Sequence, residues 1–131
     1  MAKTRSIPAP HPHPDTQAFW DAAARGKFLL RRCDACSKAH WYPRPICPFC
    51  ASQATRWVEA SGRGTVYSYS VNRHADPLYI IAYVTLAEGP TMLTNLVDCY
   101  PEEPLIGRAV TLVFTPTDGG PPVPTFTPVR A

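Results

Sequence analysis

Cys33-Asp-Ala-Cys36 and Cys47-Pro-Phe-Cys50, with residues 37–46 between them, set the reading of this chain. Each C-x2-C turn brings two sulfurs to one side of the backbone, and two such knuckles can close four thiolates around one tetrahedral ion. Four of the five cysteines are accounted for in this way. Two disulfides would instead need an oxidising compartment. Residues 1–14 hold no apolar stretch of a secretion signal and are broken by Pro8, Pro10, Pro12 and Pro14, so a reducing, cytoplasmic setting is expected. A rubredoxin-type iron centre also uses paired knuckles, but glycine normally follows each of them, to allow a positive φ and amide bonds to sulfur. Here Ser37 and Ala51 stand in those places. Zinc is therefore the expected metal, held by Cys33, Cys36, Cys47 and Cys50. A closed shell of four thiolates leaves no position for a substrate, which makes the site structural. Cys99, alone in an apolar stretch, reads as a buried small hydrophobe.

Upstream of the knuckles, Asp15 can cap a short helix whose apolar face carries Phe19, Trp20 and Ala23, and Gly26 closes it. A helix this short is marginal alone, so Phe19 and Trp20 must pack on the rest of the chain or on a partner. Residues 27–32 (KFLLRR) then form a strand leading into the first knuckle, and Trp41, Tyr42, Ile46 and Trp57 are placed to cover the metal or a partner's surface. Downstream of Gly62 the pattern changes to period two. Residues 64–71, 78–86, 91–97 and 109–115 read as strands, with a last one around residues 124–126 and turns at Glu88-Gly89-Pro90 and residues 101–104. About five strands in a small antiparallel unit suit a compact closed barrel, OB-type or SH3-like. The chain divides accordingly into a flexible Pro/His arm (1–14), a helix and metal module (15–60) and a barrel (61–131).

The 131 residues carry a net charge of +3, unevenly placed. Up to Arg73 the balance is +7, and from His74 onward it is −4. The basic half holds the metal module and suits an anionic partner, such as a nucleotide phosphate. No apolar run approaches the length that crosses a membrane. The sequence also offers no catalytic constellation. Gly62-Arg-Gly64 is better placed to start a strand than to cradle phosphate, and His74 with Asp76 falls in a loop.

GKFLLRRCDAC, WYPRPICPFC, GRGTVYSYSVNR, LYIIAYVTLAEGP and LIGRAVTLVFT, in that order, resemble a domain-of-unknown-function family of zinc-ribbon plus OB-fold proteins associated with acyl-CoA metabolism. The resemblance runs from about Phe19 to Phe126. It implies a mainly β fold: an N-terminal short helix, a rubredoxin-like zinc ribbon and a C-terminal five-stranded OB-fold barrel. It also implies a non-catalytic partner of a thiolase-like enzyme, the group of thiolases, synthases and lipid-transfer-protein-type aldolases that act on acyl-CoA. On that basis Phe19, Trp20, Trp41 and Tyr42 are candidates for partner binding. Arg44, Arg56 and Arg73 are candidates for holding the CoA phosphates at a substrate channel. The alternative is an OB barrel that binds single-stranded nucleic acid, with Tyr67, Tyr69, Tyr79 and Tyr83 as stacking platforms. A net acidic barrel half opposes it, because a backbone-tracking groove has to be basic.

Overall fold

In KFLLRR, Phe28 and Leu30 point to one face at period two and both are buried, while the segment keeps two backbone edges free to pair. In the computed structural model, which describes residues 5–130, it becomes the central strand of a small sheet. Residues 1–4 of the arm and Ala131 lie outside the described residues. Strand β1 (Leu29–Cys33) is flanked by β2 (Ala39–His40) and β3 (Thr55–Glu59), both antiparallel. The chain then enters a barrel of β4 (Arg63–Asn72), β5 (Tyr79–Leu86), β6 (Thr91–Leu96), β7 (Ala109–Thr115) and β8 (Val123–Pro128).

The barrel closes in the order β4-β5-β6-β8-β7, with β7 returning to β4 through Arg63–Thr111, Gly64–Val110 and Thr65–Ala109. Strands β6 and β8 run parallel where Leu96 faces Phe126, while the other pairings are antiparallel. That crossover selects the OB topology over an SH3-like one and leaves no unpaired edge. Two glycines start the barrel. Gly62 takes φ +79° with the Leu112 Cβ only 3.0 Å from where its own Cβ would stand, and a Cβ on Gly64 would meet Val84 at 2.6 Å. The Gly62-Arg-Gly64 segment thus serves close strand packing.

Helix α1 (Gln17–Ala24) lies against β1. Its cap differs from the expectation of Asp15: Thr16 holds the N-cap position. The Thr16 hydroxyl accepts the His13 N–H at 3.1 Å and donates to the His13 carbonyl at 3.2 Å, so it binds the arm rather than the first helical turn. The helix ends with the Gly26 amide donating to the Ala23 carbonyl and the Lys27 amide to the Ala22 carbonyl, both at 2.9 Å.

One hydrophobic core joins helix, ribbon and barrel. Phe28 stands at the junction, with ring centroids 6.1 Å from Phe19, 5.9 Å from Trp41, 6.5 Å from Phe114 and 6.4 Å from Phe126. No helix among the described residues is long and apolar enough to cross a membrane.

Candidate functional site

The two knuckles are built alike. In the first, the Cys33 amide donates to the Lys38 carbonyl and the Ser37 amide to the Cys33 carbonyl; in the second, Cys47 donates to Ser52 and Ala51 to Cys47, all at 2.9 Å. Closing each turn in this way forces the residue after it into the left-handed region, and Ser37 (φ 65°) and Ala51 (φ 64°) adopt it without being glycine. Glycine is thus dispensable for the geometry, at a cost of about 1–2 kcal/mol per residue in backbone strain. Ser37→Gly and Ala51→Gly are each expected to raise the stability of the metal-loaded chain by about 1 kcal/mol in urea unfolding. An unchanged or lower midpoint in both variants would count against this account.

The turns bring the four sulfurs together, all within 4.8 Å of one another. Cys33 Sγ lies 3.6 Å from Cys50 Sγ, and Cys36 Sγ lies 3.7 Å from Cys47 Sγ. A tetrahedral ion with metal–sulfur bonds of about 2.3 Å requires sulfur separations of about 3.8 Å, so the donor set fits a thiolate-bound metal. The environment acts on two of these thiols in opposite directions. Backbone hydrogen bonds at Cys36 and Ala35 lower the Cys33 thiol to about 7. A backbone bond at Ser52 acts in the same direction on Cys50, yet its crowding by Cys33 and the other sulfurs pushes it up to about 12. Four thiols this close resist ionising together unless a cation compensates them. The Phe49 amide, 3.4 Å from Cys47 Sγ, donates toward that sulfur. Cys33 and Cys47 are buried and Cys50 is exposed, which puts the site at the rim of the ribbon.

His40 is outside this cluster. It is buried, and burial lowers its pKa, so the neutral ring serves structure. Its Nε2 lies 3.1 Å from the Arg44 carbonyl and ties down the segment between the knuckles. The sequence carries no sign of this role, because a lone histidine beside a cysteine pair has no spacing that separates a loop anchor from a bystander.

The candidate partner-binding residues divide. Phe19 is 0% and Trp20 8% exposed, and both belong to the chain's own core. Their expectation as partner anchors is corrected: Phe19 meets Trp20 at 4.9 Å and Trp41 at 5.2 Å between ring centroids, so these rings hold helix to ribbon. Trp41 is half-buried beside them. Tyr42 is 38% exposed, and the same segment exposes Ile46 (50%) and Phe49 (58%). The apolar surface of the module is therefore the loop between and within the knuckles. Sequence reasoning missed Phe49, which C-x2-C spacing had absorbed as filler.

The three arginines are not gathered into one site. Arg44 is exposed in the inter-knuckle loop and lines a cleft with His13, Asp15 and Ile46. Arg56 on β3 pairs with Asp34 at 2.8 Å, both exposed. Arg73 is exposed past the far end of β4, in the same loop as the exposed His74 and Asp76. On the barrel, Tyr67 and Tyr83 are exposed, whereas Tyr69 packs against the core and Tyr79 lies under Arg5. Cys99 is half-buried, with its thiol pushed up by burial, in keeping with an apolar role.

A thiolate-lined ribbon fused through one core to an OB barrel defines a zinc-ribbon/OB-fold protein. Family models bear this out in order: residues 20–56 match the rubredoxin-like zinc ribbon domain of ChsH2, and residues 57–115 match the ChsH2 C-terminal OB-fold domain. The chain belongs to this ChsH2-type DUF35 family. It is 34% identical over 90 residues to a DUF35 domain-containing scaffold protein of Methanothermobacter thermautotrophicus, covering 63% of this chain and 68% of that one. It is 38% identical over 117 residues to a probable enoyl-CoA hydratase alpha subunit of Thermomonospora curvata, covering 85% of this chain but only 37% of that relative. Among solved structures, it matches a chain of an Ltp2-ChsH2(DUF35) aldolase at a TM-score of 0.79 and 35% identity, covering 91% of this chain and 98% of that one.

Proposed function

We propose that this chain is a non-catalytic accessory subunit of an acyl-CoA enzyme, with zinc as its structural ion and a thiolase-like or lipid-transfer-protein-type catalytic chain as its partner. The observation that carries the proposal is the likeness, over nearly the whole of both chains, to a chain solved as part of an aldolase. The metal site supports it, since four thiolates fill a tetrahedral shell and offer substrate no open position. Because a tetrahedral shell of four thiolates suits iron as well as zinc, the choice of zinc rests on the match to a zinc ribbon domain. A reducing cytoplasm suits four cysteines held as thiolates.

Docking falls to the ribbon loop with Tyr42, Ile46 and Phe49, an apolar patch beside the cations Lys38 and Arg44. An aromatic centre with a charged rim is the pattern of an interface that carries binding energy in a few side chains. The test is recovery of the tagged chain from its native host, followed by identification and acyl-CoA assay of what accompanies it. A stoichiometric catalytic chain active on acyl-CoA is expected; recovery of the tagged chain alone would overturn the subunit role. In the assembled complex, Arg44→Ala and Arg73→Ala are expected to raise the apparent KM for acyl-CoA severalfold at low salt, leaving kcat in place. An unchanged KM in both would remove the arginines from substrate binding while leaving the subunit role.

Nucleic-acid binding finds little support on the barrel. Residues 64–72, 79–86 and 91–96, which form nearly all of β4, β5 and β6, contain no Lys or Arg. A stacking platform there would lack the cations that track a phosphate backbone.

A further inference from the structure

The N-terminal arm is placed to complete a ligand cleft. The Asp118 amide donates to the Ile7 carbonyl at 2.9 Å, Ser6 pairs with the Asp118 carboxylate, and Pro8 forms a parallel bridge with Asp118. Directly before Ser6, the Arg5 guanidinium stacks 3.6 Å from the centre of the Tyr79 ring and donates to Asn95 Oδ1 at 3.1 Å. Residues 5–8 are thereby strapped over one end of the barrel. Beneath them lies a cleft of about 690 Å3.

This volume falls within the range of small-molecule sites, about 300–1,000 Å3. The floor is apolar: Ile80 and Leu96 reach it from the buried core, and Ile7, Leu78 and Phe114 form the walls. Charge is confined to Arg5 on the arm and to Asp98 and Glu102 on the segment after β6. An apolar floor under a thin polar rim recognises a hydrocarbon body whose polar end remains in water. The cleft also draws on residues outside the stretch matched by the family models, since Arg5 and Ile7 precede residue 20 and Thr125 follows residue 115.

We infer that this cleft binds the hydrocarbon portion of an acyl group, with the thioester and nucleotide left outside. The choice of an acyl chain, among apolar ligands, rests on the proposed role in an acyl-CoA enzyme. The cleft would give a long or bulky acyl group apolar cover that a short acyl group does not need.

The isolated, metal-loaded full chain can test this with phenylnaphthylamine, a neutral apolar fluorophore. Saturable one-to-one binding is expected, weakened tenfold or more in Leu78→Asp. Leu78 is 44% exposed in the turn before β5, so the change spares the core. Leu93→Asp, exposed on the outer face of β6, controls for surface charge and is expected to bind like the parent. Displacement by hexanoyl-, octanoyl-, decanoyl- and dodecanoyl-CoA should strengthen about two- to fourfold per added methylene. Free CoA should displace nothing, and free dodecanoate should displace the dye as dodecanoyl-CoA does; displacement by free CoA, or none by dodecanoate, would count against a hydrocarbon site. The inference is overturned by absence of saturable binding, by equal binding in Leu78→Asp, or by displacement that is independent of chain length. Because no partner is present, such a failure is distinct from failure of the subunit role, which is read by recovery of a catalytic chain.

Discussion

Cys47→Ser is expected to yield a chain without stoichiometric zinc and with an unfolded ribbon. Cys47 is buried, accepts the Phe49 amide at its sulfur and lies 3.7 Å from Cys36 Sγ, so its loss opens the shell from the inside. Structural zinc sites contribute about 10–16 kcal/mol of apparent binding energy, and that energy is folding energy when the site does not exist in the unfolded chain. The ribbon has little else to hold it: β2 is two residues long, and β1 and β3 have five each. The damage should reach the barrel as well, because Phe28 and Leu30 on the way into the first knuckle belong to the shared core. Elemental analysis together with thermal unfolding measures both effects. Full zinc content with an unchanged melting temperature would refute the role of Cys47, and iron in place of zinc in the parent would refute the choice of metal. Acid should mimic the substitution, since protons compete with the metal for thiolate sulfur and metal affinity falls as pH falls.

Phe19→Ala is expected to destabilise the chain by about 3–5 kcal/mol, the range for emptying a well-packed aromatic site. The ring is fully buried among Trp20, Phe28 and Trp41, three side chains from helix and ribbon that do not collapse easily into the space. Tyr42→Ala, at the exposed edge of the same cluster, should change stability by about 0.5 kcal/mol or less and instead weaken association with the proposed catalytic partner. Urea unfolding of each variant beside co-purification separates the two roles. A Phe19→Ala chain with the parent's unfolding midpoint but no partner would restore that ring as an interface anchor.

Much of this was readable along the chain because its causes are local. Four sulfurs converge through turns of four residues each, so spacing alone revealed the metal site. Period-two alternation located β5, β6 and β7 to within a residue or two, because β5 and β6 bury every second residue and β7 begins the same way at Val110. Strands β2 and β3 escaped detection. One is two residues long and the other, Thr-Arg-Trp-Val-Glu, lacks a clean alternation; both exist because the knuckles hold them beside β1.

By itself the sequence determined the four cysteines of the candidate metal site, the succession of the barrel strands along the chain and the presence of an apolar helix face, since each depends on neighbours a few residues apart. Only the tertiary structure decided what covers that face, that β8 inserts between β6 and β7, and that the arm meets the barrel through Arg5 and Ile7. A helical stripe states that Phe19 must be buried but not against what. A strand pattern likewise states which face is inward but not which neighbour lies beside it. Those choices are made when distant segments close a shared core, where the entropy lost in bringing them together is offset by apolar burial that no short window of sequence contains.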